Sequence, residues 1–281
     1  MSDVVVSVGI PAFRNATTIG NTIQSLRRQT HDQWECFVSC DDGRSETYEA
    51  ARDAIGDDVR FVLHANEQRL GVPGNWNLVL SRGTADFFKL LCADDLLRED
   101  ALQRQVNAML HFPRAALCTG RRDVIDAEGR TVLRSRGLKK APGPLSRSDV
   151  IDLILRLGTN PLGEPSFALY RTEALRQSGG FSASWEYTLD LASYLDVLKL
   201  GELVTIDATI GDFRVSSSSW SSSLASQQSR ELIRLVDFVV SASDPKTRRT
   251  RLAVARVRVR MTAARRRFVF WLLAKREHSS R

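Results

Sequence analysis

Two pairs of adjacent carboxylates, Asp41-Asp42 and Asp94-Asp95, each close a short apolar run, and the second pair lies 53 residues after the first. Like charges a few ångströms apart repel, so paired acids at a ligand site are costly unless a cation joins them. A divalent ion shared between carboxylate oxygens and substrate phosphates removes that cost. A third acid, Asp190, falls in a helical pattern. Plainer readings stand beside each of these. Asp is a favoured helix N-cap, which accounts for an Asp-Asp pair taken singly, and a mid-helix acid is ordinarily a solvated surface residue. The four histidines (His31, His64, His111, His278) and the four cysteines (Cys36, Cys40, Cys92, Cys118) show no metal-ligand spacing. The histidines read as surface or loop residues, and the cysteines as small apolar residues of buried strands.

The elements that must position these acids follow from hydrophobic periodicity. A β-branched run over residues 4–10, stopped by Pro11, predicts a buried strand, and runs over 34–40, 59–63, 87–91 and 115–119 predict four more. Ile19, Ile23 and Leu26 form the apolar face of a first helix, and helices follow over 47–55, 75–80 and 101–111. Strands alternating with helices through short loops predict an α/β fold, with a mainly parallel sheet covered on both faces. Ligands of such sheets sit at the carboxyl ends of the strands, where Pro11, Phe13, Arg14 and both acid pairs fall. Beyond Gly120 the pattern changes. Residues 121–147 read as loop with an edge hairpin, followed by helix over 149–157, a short strand over 167–170, helix over 189–200 and one or two strands over 205–213. A serine-rich loop over 216–223 and two helices, near 224–242 and 247–275, complete the chain.

With 281 residues, 43% hydrophobic and 26% charged, the chain has the composition of a globular protein, which excludes wholesale disorder. No apolar run approaches the length needed to span a bilayer, and no basic segment precedes the first apolar run, so a cytoplasmic location is expected. The net charge of +7 is uneven: residues 246–281 carry 13 basic residues and one acid, leaving the first 245 residues at −5. In this tail Val254, Val257, Met261, Ala264, Phe268, Trp271 and Lys275 recur at steps of three and four, flanked by Arg256, Arg258, Arg260 and Arg265 to Arg267. Such a stripe either docks on the body or on a homodimer partner, or lies on an anionic membrane, or meets nucleic acid.

The order of the motifs resembles family 2 glycosyltransferases of the GT-A fold. The resemblance rests on Val6 to Asn15, on Ser25 to Thr30 with Trp34-Glu35, on Cys40-Asp41-Asp42-Gly43-Arg44-Ser45, and on Asn66 with Leu70 to Asn77. It continues through Leu91-Cys92-Ala93-Asp94-Asp95-Leu96-Leu97, Gly163-Glu164-Pro165-Ser166, and Gly179-Gly180-Phe181 with Asp190, so that it covers about residues 4–223. It implies a nucleotide-sugar-binding half over residues 1–120, an acceptor-binding half over 121–223, and basic amphipathic helices over 224–281. It further implies that Asp42 contacts the nucleotide, that Pro11, Phe13 and Arg14 wall the site, and that Arg69 or Asn75 lies near the base and phosphates. Asp94 and Asp95 would hold Mg2+ or Mn2+ on the donor diphosphate, and Asp190 would be the catalytic base. Cys92, Leu189 and Ser216 depart from residues the family often carries at those places. The expected activity is inverting, metal-dependent transfer of a sugar from a UDP- or dTDP-linked donor to a glycan or lipid-linked hydroxyl in cell-surface polysaccharide synthesis. With such a body, an anionic membrane is the tail's favoured partner, on the inner face of the cell membrane, and no nucleic acid is expected. The alternatives are a sugar-1-phosphate nucleotidyltransferase, which needs a glycine-rich basic loop that residues 9–14 do not provide, and a catalytically degenerate sugar- or nucleic-acid-binding module.

Overall fold

A computed structural model describes residues 4–139, 141, 143–215, 227–240 and 252–262. The first half alternates as expected: β1 (Val6–Ala12), α1 (Ile19–Arg27), β2 (Trp34–Cys40), α2 (Glu46–Ile55), β3 (Phe61–Ala65), α3 (Gly71–Arg82) and β4 (Phe87–Leu90). There follow β5 (Leu96–Leu97), α4 (Ala101–His111), β6 (Ala115–Ile125), β7 (Thr131–Arg136) and α5 (Arg147–Leu157). The remaining elements are β8 (Ala168–Arg171), α6 (Thr172–Gln177), α7 (Leu189–Val197), β9 (Glu202–Arg214), α8 (Gln228–Val240) and a helix over 252–262. The strands join in the order β3-β2-β1-β4-β8-β6-β9-β5, with β7 paired to β6 off that path. β3, β2, β1 and β4 run parallel. β8 enters antiparallel between β4 and β6, and β9 returns parallel to β6.

Every residue of β1 is buried, because helices cover both faces of the sheet there and the strand needs apolar side chains on each. α3 packs so closely on this strand that a Cβ at position 9 would stand 2.6 Å from Val79 Cγ2, which is why glycine occupies it. The strand also runs through Pro11, where the sequence predicts its end. Gly9 O accepts from Leu91 N on the β4 side and Ala12 O from Asp41 N on the β2 side, so alternation turns Pro11 toward β4. β4 has already ended at Leu90, so the missing proline N–H costs no ladder bond.

Other boundaries differ for similar reasons. α3 begins at Gly71 rather than near Asn75, with Pro73 in its first turn, where no N–H donor is needed. β6 does not stop at Thr119 but continues to Ile125, and residues 202–214 form one long strand, because β6 and β9 pair along most of their length. His31 is buried rather than exposed, with Nε2 2.9 Å from Val4 O.

The chain divides into two compact units. The first comprises Met1–Arg147, Leu162–Ser184 and Leu189–Ser216 and carries the sheet, so the boundary expected at 120/121 falls inside β6. The second comprises Ser148–Pro161, Trp185–Thr188 and Ser217–Arg281. Within it, helix 252–262 buries Leu252, Ala255 and Val259, and its backbone at Arg258-Val259 approaches Gly158. The stripe picked out by spacing is a different face: Val254, Val257 and Met261 are 43%, 56% and 66% exposed. Ala264, Phe268, Trp271 and Lys275, like the serine-rich loop over 216–223, lie outside the described residues. Trp185, which flanks the expected acceptor half, packs its ring 5.8 Å from that of Phe238 within this unit.

Candidate functional site

Two adjacent acids at the end of β2 have different duties. Asp41 is buried, and its carboxylate accepts from Leu70 N at 2.7 Å, Gly71 N at 2.9 Å and Asn66 Nδ2 at 2.8 Å. It thereby fixes the loop that leads into α3. Asn75 belongs to the same buried network: its Nδ2 donates to Ser39 O, and its Oδ1 accepts from Asn66 Nδ2. Asn75 is thereby buried in the fold, where it braces the loop that carries Arg69.

Asp42 Oδ2 accepts from Arg14 N at 2.9 Å and Thr47 Oγ1 at 2.8 Å, while Oδ1 is buried with no partner among the described residues. An orphaned buried carboxylate oxygen calls for a donor from outside the protein, either water or a ligand. Arg14 adopts a left-handed backbone, φ 58°, that its bond to Asp42 supports. The guanidinium groups of Arg14 and Arg69 lie over the Phe13 ring, 5.1 and 4.3 Å from its centroid. Phe13, Arg14, Arg69 and Asp42 thus gather at the carboxyl ends of β1 and β2, with Pro11 buried in the strand beneath them.

The second acid pair also divides. Asp95 is 1% exposed; its Oδ2 accepts from Ser166 Oγ at 2.6 Å and its Oδ1 from Arg214 N at 3.0 Å. Its main-chain oxygen accepts from Thr22 Oγ1. Burial and the neighbouring Asp94 push the Asp95 carboxyl well above the usual range, although both hydrogen bonds oppose the shift. Asp94 is only partly buried; desolvation raises its carboxyl and the Arg214 guanidinium opposes this. Arg214 itself is tied down by Asp94 O, Asp126 O and Ala127 O. Burial, with the charges of Asp95 and Asp94, also pushes the Cys92 thiol well up, so it stays protonated.

The donor set for a cation is accordingly narrow. Among the described residues no three His, Cys, Asp or Glu side chains converge as ligands. Asp95 has both oxygens engaged, a protonated Cys92 suits neither Mg2+ nor Mn2+, and Asp94 remains. One carboxylate fits a hard ion whose other ligands are substrate phosphates and water.

Asp190 stands in the first turn of α7, its Oδ1 accepting from Leu191 N at 2.7 Å. Its charge and that of Glu164 both act on the buried Tyr194 phenol, which burial chiefly raises, and Tyr194 donates to Gly163 O. Glu164 also acts, as a smaller effect, on Asp95 and Cys92. Glu164 is paired with Arg122, whose Nε and a terminal nitrogen lie 2.6 and 2.9 Å from its oxygens. The Gly163-Glu164-Pro165-Ser166 motif carries no local sign of these partners, because Ser166 lies 71 residues from Asp95; β8 and the adjoining single 3-10 turn Pro165–Phe167 bring the two regions together.

Comparison with known proteins now gives the class. The model of glycosyl transferase family 2 matches residues 7–179, and the chain belongs to that family. The Escherichia coli glucosyltransferase WfgD, described as UDP-Glc:alpha-D-GlcNAc-diphosphoundecaprenol beta-1,3-glucosyltransferase, is 31% identical over 39% of this chain and 43% of its own length. An uncharacterized Mycobacterium tuberculosis protein is 26% identical over 69% of this chain and 62% of its own. The chain thus spans less than two thirds of either relative. Among solved structures, S. aureus TarS 1-349 in complex with UDP-GlcNAc has a TM-score of 0.68 at 15% identity, covering 88% of this chain and 70% of that one. A Pyrobaculum calidifontis mannosyltransferase in complex with GDP-Man and Mn2+ has a TM-score of 0.63 at 15% identity, over 98% and 80%. The fold is that of GT-A glycosyltransferases.

Proposed function

We propose that this chain transfers a sugar from a nucleotide-diphosphate donor, UDP- or dTDP-linked, to a hydroxyl of a glycan or lipid-linked acceptor, with inversion at the anomeric carbon. The observation that carries the reading is the orphaned Asp42 Oδ1 at the carboxyl end of β2, on a carboxylate held by Arg14 N and Thr47. A carboxylate oxygen fixed at the end of β2 accepts an N–H or O–H from base or ribose, and the guanidiniums of Arg14 and Arg69 bring positive charge to the same end of the sheet. Family membership and the UDP-sugar named with two similar proteins support such a donor. The lipid diphosphate in the name of the E. coli relative supports the acceptor class and a role in cell-surface glycan synthesis.

Asp94 would hold a Mg2+ or Mn2+ ion together with the donor diphosphate, and that ion would supply Lewis-acid stabilisation of the leaving group. Asp95, Ser166 and Arg214 hold the acid loop in place around Asp94. Asp190 takes the proton of the attacking acceptor hydroxyl, at a position set by the first turn of α7. The nucleotidyltransferase alternative is disfavoured because β1 leads into Phe13-Arg14-Asn15 and not a glycine-rich phosphate loop. Retained Asp42, Asp94 and Asp190 disfavour a degenerate binding module.

The cellular setting proposed is the inner face of an anionic membrane, reached through the exposed Val254, Val257 and Met261 face with its flanking arginines. Among the described residues no helix is long and apolar enough to cross a membrane. A thermal-shift panel of nucleotide sugars with and without Mn2+ tests the central activity. Stabilisation by a uridine or thymidine diphospho-sugar, strengthened by Mn2+, is expected; indifference to every nucleotide sugar would overturn it.

A further inference from the structure

The edge strand β7 carries cations that the reaction as described does not use. Arg130, just before the strand, is neutralised by Asp126 and Glu128, but Arg134 and Arg136 are exposed and have no ion partner among the described residues. Arg136 stands directly opposite Arg122 in the antiparallel β6–β7 pair. Residues directly opposite share one face of a sheet, and like charges so placed repel. The face is identified by Arg122, whose guanidinium pairs with Glu164 and lies against Gly163, where a Cβ would come within 2.9 Å of a terminal nitrogen. Arg136 therefore leaves the sheet on the side of Glu164, two residues from the Ser166 that holds Asp95.

The strand is built to keep it there. Two residues of β7, Arg134 and Ser135, intervene where β6 has only Asp123, so the pairing is bulged. Ser135 takes a left-handed backbone, φ 54°, and its N–H donates to the buried Asp123 Oδ1 at 2.7 Å. Asp123 is held in turn by Arg98, which also pairs with Asp212 of β9. Arg122 is already neutralised by Glu164, so an anion arriving on this face finds its free positive charge on Arg136.

We propose that Arg136 binds the phosphate of the acceptor, a lipid-linked diphosphate, on the Glu164 side of the acid loop. The acceptor class rests on the function proposed above; the cation site rests on the β6–β7 geometry. Arginine suits the task because its planar fork pairs with phosphate oxygens two at a time.

The test uses the full chain saturated with uridine diphosphate, so that the donor diphosphate position is filled. Binding of inorganic pyrophosphate and of a short prenyl diphosphate is then measured by calorimetry for wild type, Arg136→Ala, Arg136→Lys and Arg134→Ala. Arg136→Ala should weaken both probes about tenfold or more, the range of a lost charge-assisted hydrogen bond. Arg136→Lys should retain part of the affinity, Arg134→Ala, on the Asp123 face of the hairpin, should leave it nearly unchanged, and uridine diphosphate affinity should not change. Unchanged probe affinity in Arg136→Ala, or no probe binding by wild type, would overturn the proposal while leaving the donor reading intact. Loss of uridine diphosphate affinity in Arg136→Ala would assign the cation to the donor instead. Flotation with phosphatidylglycerol vesicles separates the lipid-surface source: a variant that loses vesicle binding but keeps its pyrophosphate affinity also overturns the acceptor assignment. Failure of wild type to bind uridine diphosphate would remove the glycosyltransferase reading and the acceptor assignment together.

Discussion

At the scale of single residues, neighbours of identical type differ in what their oxygens are free to do. Asp42→Asn should weaken uridine diphosphate binding about tenfold, because the orphaned oxygen is then an amide atom of altered hydrogen-bonding sense; calorimetry checks this. Asp94→Asn should abolish the Mn2+ contribution to donor binding and leave the melting temperature in place. Asp95→Asn should instead lower the melting temperature by several degrees, since an amide cannot accept from both Ser166 and Arg214 N, at a cost of about 1–3 kcal/mol. Equal effects of the two substitutions on metal response and on melting would contradict this division. Asp190→Asn should keep donor affinity and reduce turnover ~10²–10⁴-fold, the cost of a missing general base. The acid pairs and Asp190 were legible from their types and their order in the chain. The split within each pair was not, because Ser166 and Arg214 lie 71 and 119 residues from Asp95 in sequence. No local pattern reports such partners, and the same is true of Asn75, whose role depends on Ser39 and Asn66.

At the scale of elements, β4 contains Lys89, which is fully buried, with its ammonium donating to Gln105 Oε1 at 2.8 Å and Ala168 O at 3.1 Å. Burial lowers its pKa to about 7, against a small opposing effect of the Cys118 thiol. Between about 7 and the ordinary lysine value the unfolded chain holds a proton that the folded chain does not, so stability should rise with pH across that window. Melting temperatures at pH 7 and pH 9 should therefore differ in that sense for wild type, and the difference should shrink in Lys89→Met. Gly9→Ala should destabilise the β1–α3 contact by about 1–3 kcal/mol, since α3 must shift to admit the methyl group; denaturant unfolding measures it. The alternation of elements from β1 to β6 was legible because buried strands read as apolar runs. Their ends were not: β1 passes Pro11 and β6 passes Thr119 because pairing partners, and not local propensity, decide where a ladder stops.

At the scale of the whole molecule, a body of net charge −5 adjoins a tail of net charge +12, and the described part of that tail shows one apolar face buried and another exposed. Val257→Glu with Met261→Glu should abolish binding to anionic vesicles without lowering the melting temperature, because both side chains are exposed. Added salt should weaken the arginine contribution, worth roughly 1 kcal/mol per charge at an anionic surface, and leave part of the apolar one. A lower melting temperature with unchanged vesicle binding would assign this face to packing or to a second copy of the chain. The central claim, transfer with inversion, is met most directly by proton NMR of the product formed from an α-linked uridine diphospho-sugar and a lipid-diphosphate acceptor in the presence of Mn2+. A β-linked product, formed with release of uridine diphosphate and lost in Asp190→Asn, is the expected result. An α-linked product, or turnover that Asp190→Asn leaves unchanged, would contradict it.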